Sequence, residues 1–290
     1  MLKHLVIEKV LFPIGYWGAR DIGSDTQGNG LLKLNKASTL GIRGDVIAVP
    51  RDSHIFNNVL KYSVWGGEEH SFITEQILKR NQSQTDNVLL LDLGAHCGLI
   101  SRQVLKGLSI PVGIVCVEAI PEIMQALSQN LKPYIDPSNA TLLNVALGCF
   151  DGRATMYKDL ANLGNSSLNE NVVDSPSRIE ITVEVMSANR FSKLSVFHNA
   201  KIYLKSDLQG NDAEVLSGFS TELWNQFQAG VIEVMATQSI SKDDVSKVIE
   251  RLKKFKNVSY EANLSKIVDF QELEEFWLSG NMQQRNLFFS

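Results

Sequence analysis

Short runs of apolar and β-branched residues alternate along the chain with stretches in which apolar residues return every three or four positions. Residues 88–93, 114–118, 201–207 and 229–235 are of the first kind. Strands buried on both faces read as continuous apolar runs. Between them the helical period takes over. Pro121 opens a helix with Ile123, Leu127 and Leu131 on one face, and Phe72, Ile73 and Ile77 mark another over residues 68–79. Ser241, with Asp244 three positions on, forms a capping box ahead of a stripe of Val245, Val248, Ile249, Leu252 and Phe255. This alternation predicts a parallel sheet flanked by helices. Residues 141–148 add a strand, and Asp151-Gly152 reads as a hairpin turn with residues 153–157 as the returning strand. Residues 260–264 and 286–290 are expected to finish the sheet around an amphipathic insert near 273–278, the last strand running antiparallel. Residues 159–179 are polar and without period, and a loop of that length in a compact domain is functional or disordered; it is expected to be a lid or substrate wall. Within residues 1–60, Gly15, Gly18, Gly23, Gly28 and Gly30 break up short apolar pieces. That segment is expected to be a strand-rich extension (a cap, an arm or a substrate wall) ahead of one domain over 61–290. Residues 81–86 read as a polar linker into the first core strand.

The ends of the predicted strands carry the chemistry. Asp92-Leu-Gly-Ala-His-Cys-Gly98 closes the first apolar run on an aspartate and two glycines four apart. The Gly-x-G-x-x-Gly spacing that cradles a dinucleotide pyrophosphate is absent. This points away from NAD and towards S-adenosylmethionine, which has no phosphate to cradle. A strand–glycine turn–helix is also plain architecture in any βαβ unit. Glu118 ends the next strand, where an acid grips a ribose diol or simply faces solvent. Asp207 ends the strand over 201–207, and Gln209-Gly210 forms the turn after it. Asn211 and Glu214 resemble a helix start. Parallel strands deliver their carboxyl ends to one edge, so Asp92, Glu118, Asp207 and Glu233 are expected along one crevice.

Composition narrows the partners. At 290 residues with a formal charge of −4, the chain lacks the basic surface expected of a nucleic-acid binder, and Lys253, Lys254 and Lys256 read as the wet face of their helix. No run reaches the roughly 18 apolar residues needed to cross a bilayer. Glu8 and Lys9 interrupt the place where a secretory signal needs its apolar core. Cys97, Cys116 and Cys149 are an odd set without metal spacing, which fits reduced thiols. The expectation is a cytoplasmic protein without membrane contact. No metal site is predicted, since Asp207 and Glu233 as a Mg²⁺ pair lack a clear third ligand.

Taken together, Asp92-Leu-Gly-Ala-His-Cys-Gly98, Glu118, Asn144-Val-Ala-Leu-Gly148, Asn165-Ser-Ser-Leu168 and Lys205-Ser-Asp-Leu-Gln-Gly210 with Glu214-Val-Leu-Ser-Gly218 resemble the FkbM family of methyltransferases. The order and spacing of these blocks agree over roughly residues 60–235. The resemblance implies the class I, Rossmann-like methyltransferase sheet, mostly parallel with an antiparallel last strand, and S-adenosyl-L-methionine as cofactor. It implies that Gly94, Ala95, His96 and Gly98 line the methionine end and Glu118 the ribose. Val145 and Ala146 would lie near the adenine, and Asp207 and Gln209 near the methyl group, with Asp92 and Ala119 completing the cofactor set. Three positions depart from the family's pattern: His96 stands where asparagine is usual, Ser206 intrudes before Asp207, and Asn189 replaces an aspartate. The expected reaction is O-methylation of a hydroxyl on a sugar or natural product. N-methylation of an amide or amine of a peptide or small molecule, and a cofactor-binding scaffold without turnover, are the alternatives. A nicotinamide oxidoreductase is opposed by the glycine spacing. A hydroxyl nucleophile needs a base, and Asp207 and His96 are the leading candidates, followed by Glu233 and then His70. The acceptor is expected to be a small molecule, glycan or peptide, and the state of association, a homo-oligomer included, is left open.

Overall fold

A computed structural model of the chain describes residues 18–52, 54–81 and 87–290. Its centre is a seven-stranded sheet built from β4 (Val88–Leu93), β5 (Gly113–Val117), β6 (Ala140–Leu143), β10 (Lys201–Ser206), β11 (Phe227–Met235), β12 (Val258–Ser259) and β13 (Gln284–Phe289). The strand order is β12-β13-β11-β10-β4-β5-β6. β6, β5, β4, β10 and β11 run parallel, and β13 lies antiparallel on β11. Every residue of β4 is buried, as its apolar run requires, and Asp92 within it is buried too. The long helices pack their apolar faces on this sheet: α2 (Glu68–Arg80) through Phe72, Ile73 and Ile77, α4 (Pro121–Leu131) through Leu127 and Leu131, and α6 (Lys242–Leu252) through Val245, Val248, Ile249 and Leu252. The class is mixed α/β with a mostly parallel central sheet and a strand-rich N-terminal part. Among the described residues no helix is long and apolar enough to cross a membrane.

Residues 141–148 are not one strand. The chain leaves the central sheet after Leu143 and re-forms β7 (Ala146–Gly148) in a separate sheet of order β7-β9-β8. In that sheet β8 (Gly152–Asp159) pairs antiparallel with β9 (Arg178–Ser187), while β7 lies parallel to β9. The hairpin expected at Asp151-Gly152 is therefore replaced by a longer-range pairing. The signal for β9 was the alternation of Ile179, Ile181, Val183 and Val185, a period-2 pattern. The final edge strand also sits earlier than expected, at Val258–Ser259 rather than 260–264.

The N-terminal strands β1 (Ala19–Ser24), β2 (Gly30–Leu34) and β3 (Val46–Val49) form a third, antiparallel sheet, followed by the short α1 (Ile55–Tyr62). The expectations for residues 1–17 and 82–86 fall outside the described residues. This sheet shares an apolar cluster with the main domain, Leu32, Ile47 and Val49 lying with Ile120, Ile123 and Leu99. Two buried polar side chains tie it down. The Asn130 amide accepts from the Ala48 N–H at 2.8 Å and donates to the carbonyls of Ala48 and Cys97 at 2.7 and 2.8 Å. The Arg102 guanidinium, in α3 (Leu99–Gly107), donates to the carbonyls of Leu40 and Asn130 and pairs with Asp45 at 3.1 Å. Replacing Asn130 by alanine leaves three buried backbone groups without partners, so Asn130→Ala is expected to cost about 2–4 kcal/mol of unfolding free energy. Denaturant unfolding measures this; a loss under about 0.5 kcal/mol would contradict the bracing role.

Candidate functional site

A cavity of about 590 Å³ opens at the carboxyl edge of the parallel strands. Ligand sites of open α/β sheets lie at this edge. The turn after β4 and the turn after β10 meet there. Gly94 has φ +67°, and a Cβ at that position would lie 1.9 Å from the Asp207 carbonyl oxygen, so only glycine fits. The Asp207 N–H donates to the Leu93 carbonyl at 3.1 Å. Beneath both turns the Lys205 ammonium donates to the Gly94 and Leu93 carbonyls at 2.6 and 3.3 Å. It also stands 3.2 Å from Asp92 and 3.9 Å from Asp207. Burial works against this charge, but Asp92, Asp207 and Glu233 outweigh it and raise the Lys205 pKa above its ordinary value. Lys205 is therefore a permanent cation.

Glu118 lies beside the first turn, with its carboxylate accepting the N–H groups of His96 and Ile120 at 3.0 and 2.8 Å. A carboxylate offers about four acceptor positions, so two remain. Burial pushes its pKa up to about 7 against those two bonds. His96 sits in the left-handed region at φ +49°. Its ring is neutral, its pKa pushed down to about 4 by burial and then by the charge of Lys205, and its Nε2 is buried without a partner.

On the other side, Ser206 explains its own departure from pattern: its hydroxyl donates to buried Asp212, which also accepts the Leu208 N–H at 3.0 Å. Asp212, rather than Asn211, thus fastens the turn into α5 (Asp212–Gly218), and Asn211 makes no side-chain cap. Gln209, at φ +49°, donates from Nε2 to Asp207 at 2.6 Å and to Glu233 at 3.0 Å. Its amide thus stands between the two acids. Burial, then the neighbouring charge of Asp207, drives the Glu233 pKa well above the ordinary carboxylate range, so the Glu233 carboxyl keeps its proton near neutral pH.

Gly94, Ala95, His96, Glu118, Ala119, Val145, Ala146, Asp207 and Gln209 all line this one cavity, and Glu233 joins them. Asp92 and Gly98 do not. Asp92 is buried behind the turn, accepting from Ser101 at 2.5 Å and facing Lys205. Gly98, at φ +73°, lets α3 start over Leu127 and Leu131. His70 and Asn189 are also off the cavity; Asn189 is exposed. The loop after β8 forms a fixed wall. Its Ser167 pairs through its backbone with Tyr157 and donates its hydroxyl to the Gln209 carbonyl at 2.7 Å. Asp159 accepts from Ser175 and Ser177 across the loop. Sequence reasoning missed Trp65, Glu69 and Asn286, which also line the cavity; Asn286 stands opposite Glu233 in the sheet and donates to Glu69 at 2.8 Å. Asn286 could have been found from its register opposite Glu233 in the sheet; Trp65 lies in an aperiodic segment with no such signal.

A family model described as the methyltransferase FkbM domain matches residues 92–273. No curated protein sequence matches the chain. Similar solved structures include the precorrin-6y C5,15-methyltransferase of Geobacter metallireducens, 14% identical over 69% of this chain and 77% of that one, with a TM-score of 0.34. The bifunctional kinase-methyltransferase WbdD is 12% identical over 82% of this chain and 42% of its own, with a TM-score of 0.42. Fibrillarin of Aeropyrum pernix, with bound S-adenosyl-L-methionine, is 9% identical over 94% and 100%, with a TM-score of 0.37.

The contact at Gly94 yields a direct expectation. Gly94→Ala forces the two turns apart and should cost more than about 2 kcal/mol. Gly98→Ala, whose added Cβ meets nothing nearer than 3.3 Å, should cost only the left-handed penalty of about 1–2 kcal/mol. Equal losses in thermal or urea unfolding would refute the close approach of Gly94 to Asp207.

Proposed function

The chain belongs to the FkbM methyltransferase family and takes S-adenosyl-L-methionine as its methyl donor; from that premise we propose that it methylates a hydroxyl group of a sugar or natural-product acceptor. The cavity suits such a donor. Its volume lies in the range of small-ligand sites, and Glu118 has two unused acceptor positions for the ribose diol. His96 supplies an uncompensated polar atom beside the glycine turn. In this reading Gly94, Ala95 and His96 hold the methionine portion, Glu118 and Ala119 the ribose, and Val145 and Ala146 the base. Asp92 acts from behind the turn by fixing Lys205, and Gly98 by setting the start of α3. When bound, the donor supplies an electrophilic sulfonium methyl group.

The observation that carries the hydroxyl reading is the Asp207–Gln209–Glu233 array. Transfer to an alcohol requires a group that takes its proton, and one positioned base contributes about 10²–10⁴-fold. We assign that task to Asp207. Gln209 fixes the Asp207 carboxylate with a short hydrogen bond, and Glu233, keeping its own proton, adds no second charge beside it. Neutral His96 orients rather than abstracts, because burial leaves it too weak a base. Residues 1–60 are read as an extension to the domain over 61–290, braced against it through the described residues Leu40, Asp45 and Ala48, and three free cysteines suit a reducing compartment such as the cytoplasm.

Transfer of labelled methyl groups to a panel of monosaccharides, phenols, amines and amides tests the acceptor class. Product is expected from hydroxyl compounds, and Asp207→Asn is expected to lower kcat by about 10²–10⁴-fold while S-adenosylhomocysteine still binds. Product from amines or amides alone would overturn the O-methylation reading. The Glu118 assignment has a pH signature. The diol needs the carboxylate, and with a pKa of about 7 that form is lost as the pH falls through neutrality. Affinity for S-adenosylhomocysteine should therefore drop about tenfold from pH 8 to pH 6. Glu118→Gln should bind more weakly and without this slope; a slope that persists in the variant would move the titrating group elsewhere.

A further inference from the structure

The polar row that begins at Asp207 does not end at Glu233. β13 lies antiparallel on β11 with Asn286 directly opposite Glu233, and residues so paired share one face of a sheet with their Cβ atoms about 5 Å apart. Asn286 in turn donates from Nδ2 to Glu69 at 2.8 Å. Both residues line the cavity and both are half-buried. Asp207, Gln209, Glu233, Asn286 and Glu69 thus follow one another from the end of β10 across β11 and β13 to α2.

The far pair is held from beneath. Phe72 lies one helical turn after Glu69 on α2, and Phe288 lies one strand period after Asn286 on β13. Their rings meet edge to face at 5.2 Å, and both are buried. The polar contact and the aromatic contact are successive rungs of one seam between α2 and β13, so packing fixes the Glu69–Asn286 pair. Little of its bonding capacity is used. Among the described residues the only side-chain partner of Glu69 is Asn286, and the reverse holds too. A carboxylate accepts at about four positions, and a primary amide has two N–H donors and an oxygen. Most of Glu69, and one N–H and the oxygen of Asn286, are left for a ligand.

The strand order gives this end to the acceptor. Along the edge the strands run β5, β4, β10, β11 and β13 in space, with β13 next to β11. With the ribose on Glu118 after β5 and the methionine portion on the turn after β4, the methyl group reaches Asp207 after β10. β11 and β13 continue beyond it, on the side the donor does not occupy. Two strand spacings, about 10 Å, separate the strand of Asp207 from that of Asn286, an interval that one sugar ring with its hydroxyls bridges.

We infer that Glu69 and Asn286 bind a second hydroxyl of the acceptor and so select a polyhydroxylated ring, a sugar, over an acceptor with a single hydroxyl. This rests on the O-methylation reading given above, with Asp207 at the reacting hydroxyl. A phenol or simple alcohol covers the pair without bonding to it. Sites built to hydrogen-bond a ligand group reject analogues lacking it far more strongly than apolar pockets reject a missing methylene.

The test is methyl-transfer kinetics on the full chain with monosaccharides, their monodeoxy forms, phenols, simple alcohols, amines and amides as acceptors. Sugars are expected to be the preferred hydroxyl substrates. Glu69→Ala and Asn286→Ala should each raise KM for the accepted sugar about tenfold, the factor of one well-made hydrogen bond. Their kcat should change little, and they should bind S-adenosylhomocysteine as the parent does. One monodeoxy form should lose a similar factor with the parent enzyme and nothing further with Glu69→Ala, the signature of two groups that meet. Should an alanine variant fail to fold, Glu69→Gln keeps the shape and the bond from Asn286 and should still raise KM several-fold. Phenols or simple alcohols used as well as sugars, or a sugar KM unchanged in the variants, overturns the assignment. Product from amines or amides alone, or from nothing in the panel, instead overturns the O-methylation reading on which it stands.

Discussion

The buried ammonium of Lys205 is the contact on which the rest of the site depends. It lies under two turns from strands far apart in sequence, and it satisfies the Gly94 and Leu93 carbonyls as well as Asp92. Burying an ion pair yields little net stability, but removing one partner is strongly destabilising because the other charge is stranded. Here the stranded group would be Asp92, which is 1% exposed. The pair therefore enforces arrangement more than it adds stability. With Lys205 in place the Leu93 carbonyl is also held for the Asp207 N–H, and the glycine turn is pressed against the Asp207 carbonyl. The Glu118 carboxylate is then located by the same turn, through the His96 N–H.

One cation among several acids sets the character of the cavity. Lys205 stands 3.2 Å from Asp92 and 3.9 Å from Asp207, while for Glu118 and Glu233 its charge is a small influence that burial outweighs. Both respond by holding protons more tightly, the usual outcome for buried carboxyl groups. They differ in what surrounds them. Glu118 accepts two backbone N–H groups that favour its charged form, whereas Glu233 shares a hydrogen bond with the Asp207 carboxyl group, which favours its protonated form. Two acids on one edge are thus separated in protonation by their hydrogen-bond partners. Such separation is what lets one carboxylate serve as an acceptor of hydrogen bonds while another stays neutral.

The sequence was most legible where a single element decides the outcome. β4 apart from Asp92, and β5, are apolar, and α4 and α6 carry clean helical stripes, so strand and helix followed from period alone. Glu118, Asp207 and Glu233 were found because strand ends in a parallel sheet share an edge. Legibility failed where two distant segments decide together. Residues 141–148 split because Asn144 is turned to the Glu118 and Ala119 carbonyls, and β8 found its partner beyond a long loop. Asp92 looked like a ligand-facing acid, but the pleat of β4 points it at Ser101 and Lys205. Gly94 and Gly98 looked equivalent in the turn; one is demanded by a backbone oxygen across the sheet and the other by the packing of its own helix.

The same distinction explains the N-terminal sheet. Its strands are short and its glycines frequent, which reads as an appendage. Yet Asn130 is bonded at once to Ala48 in β3 and to the Cys97 carbonyl inside the glycine turn, and Arg102 reaches back to Leu40 from the helix that the turn begins. The turn is therefore held from below by Lys205 and from the side by a sheet that belongs to another layer. A backbone segment with three residues at positive φ before its helix, Gly94, His96 and Gly98, has few contacts of its own to keep it in shape. The extension supplies them. A site whose geometry must be kept within a fraction of an ångström is here fixed by buried polar side chains from outside the strands that carry it, and the N-terminal layer is part of the machinery in that physical sense.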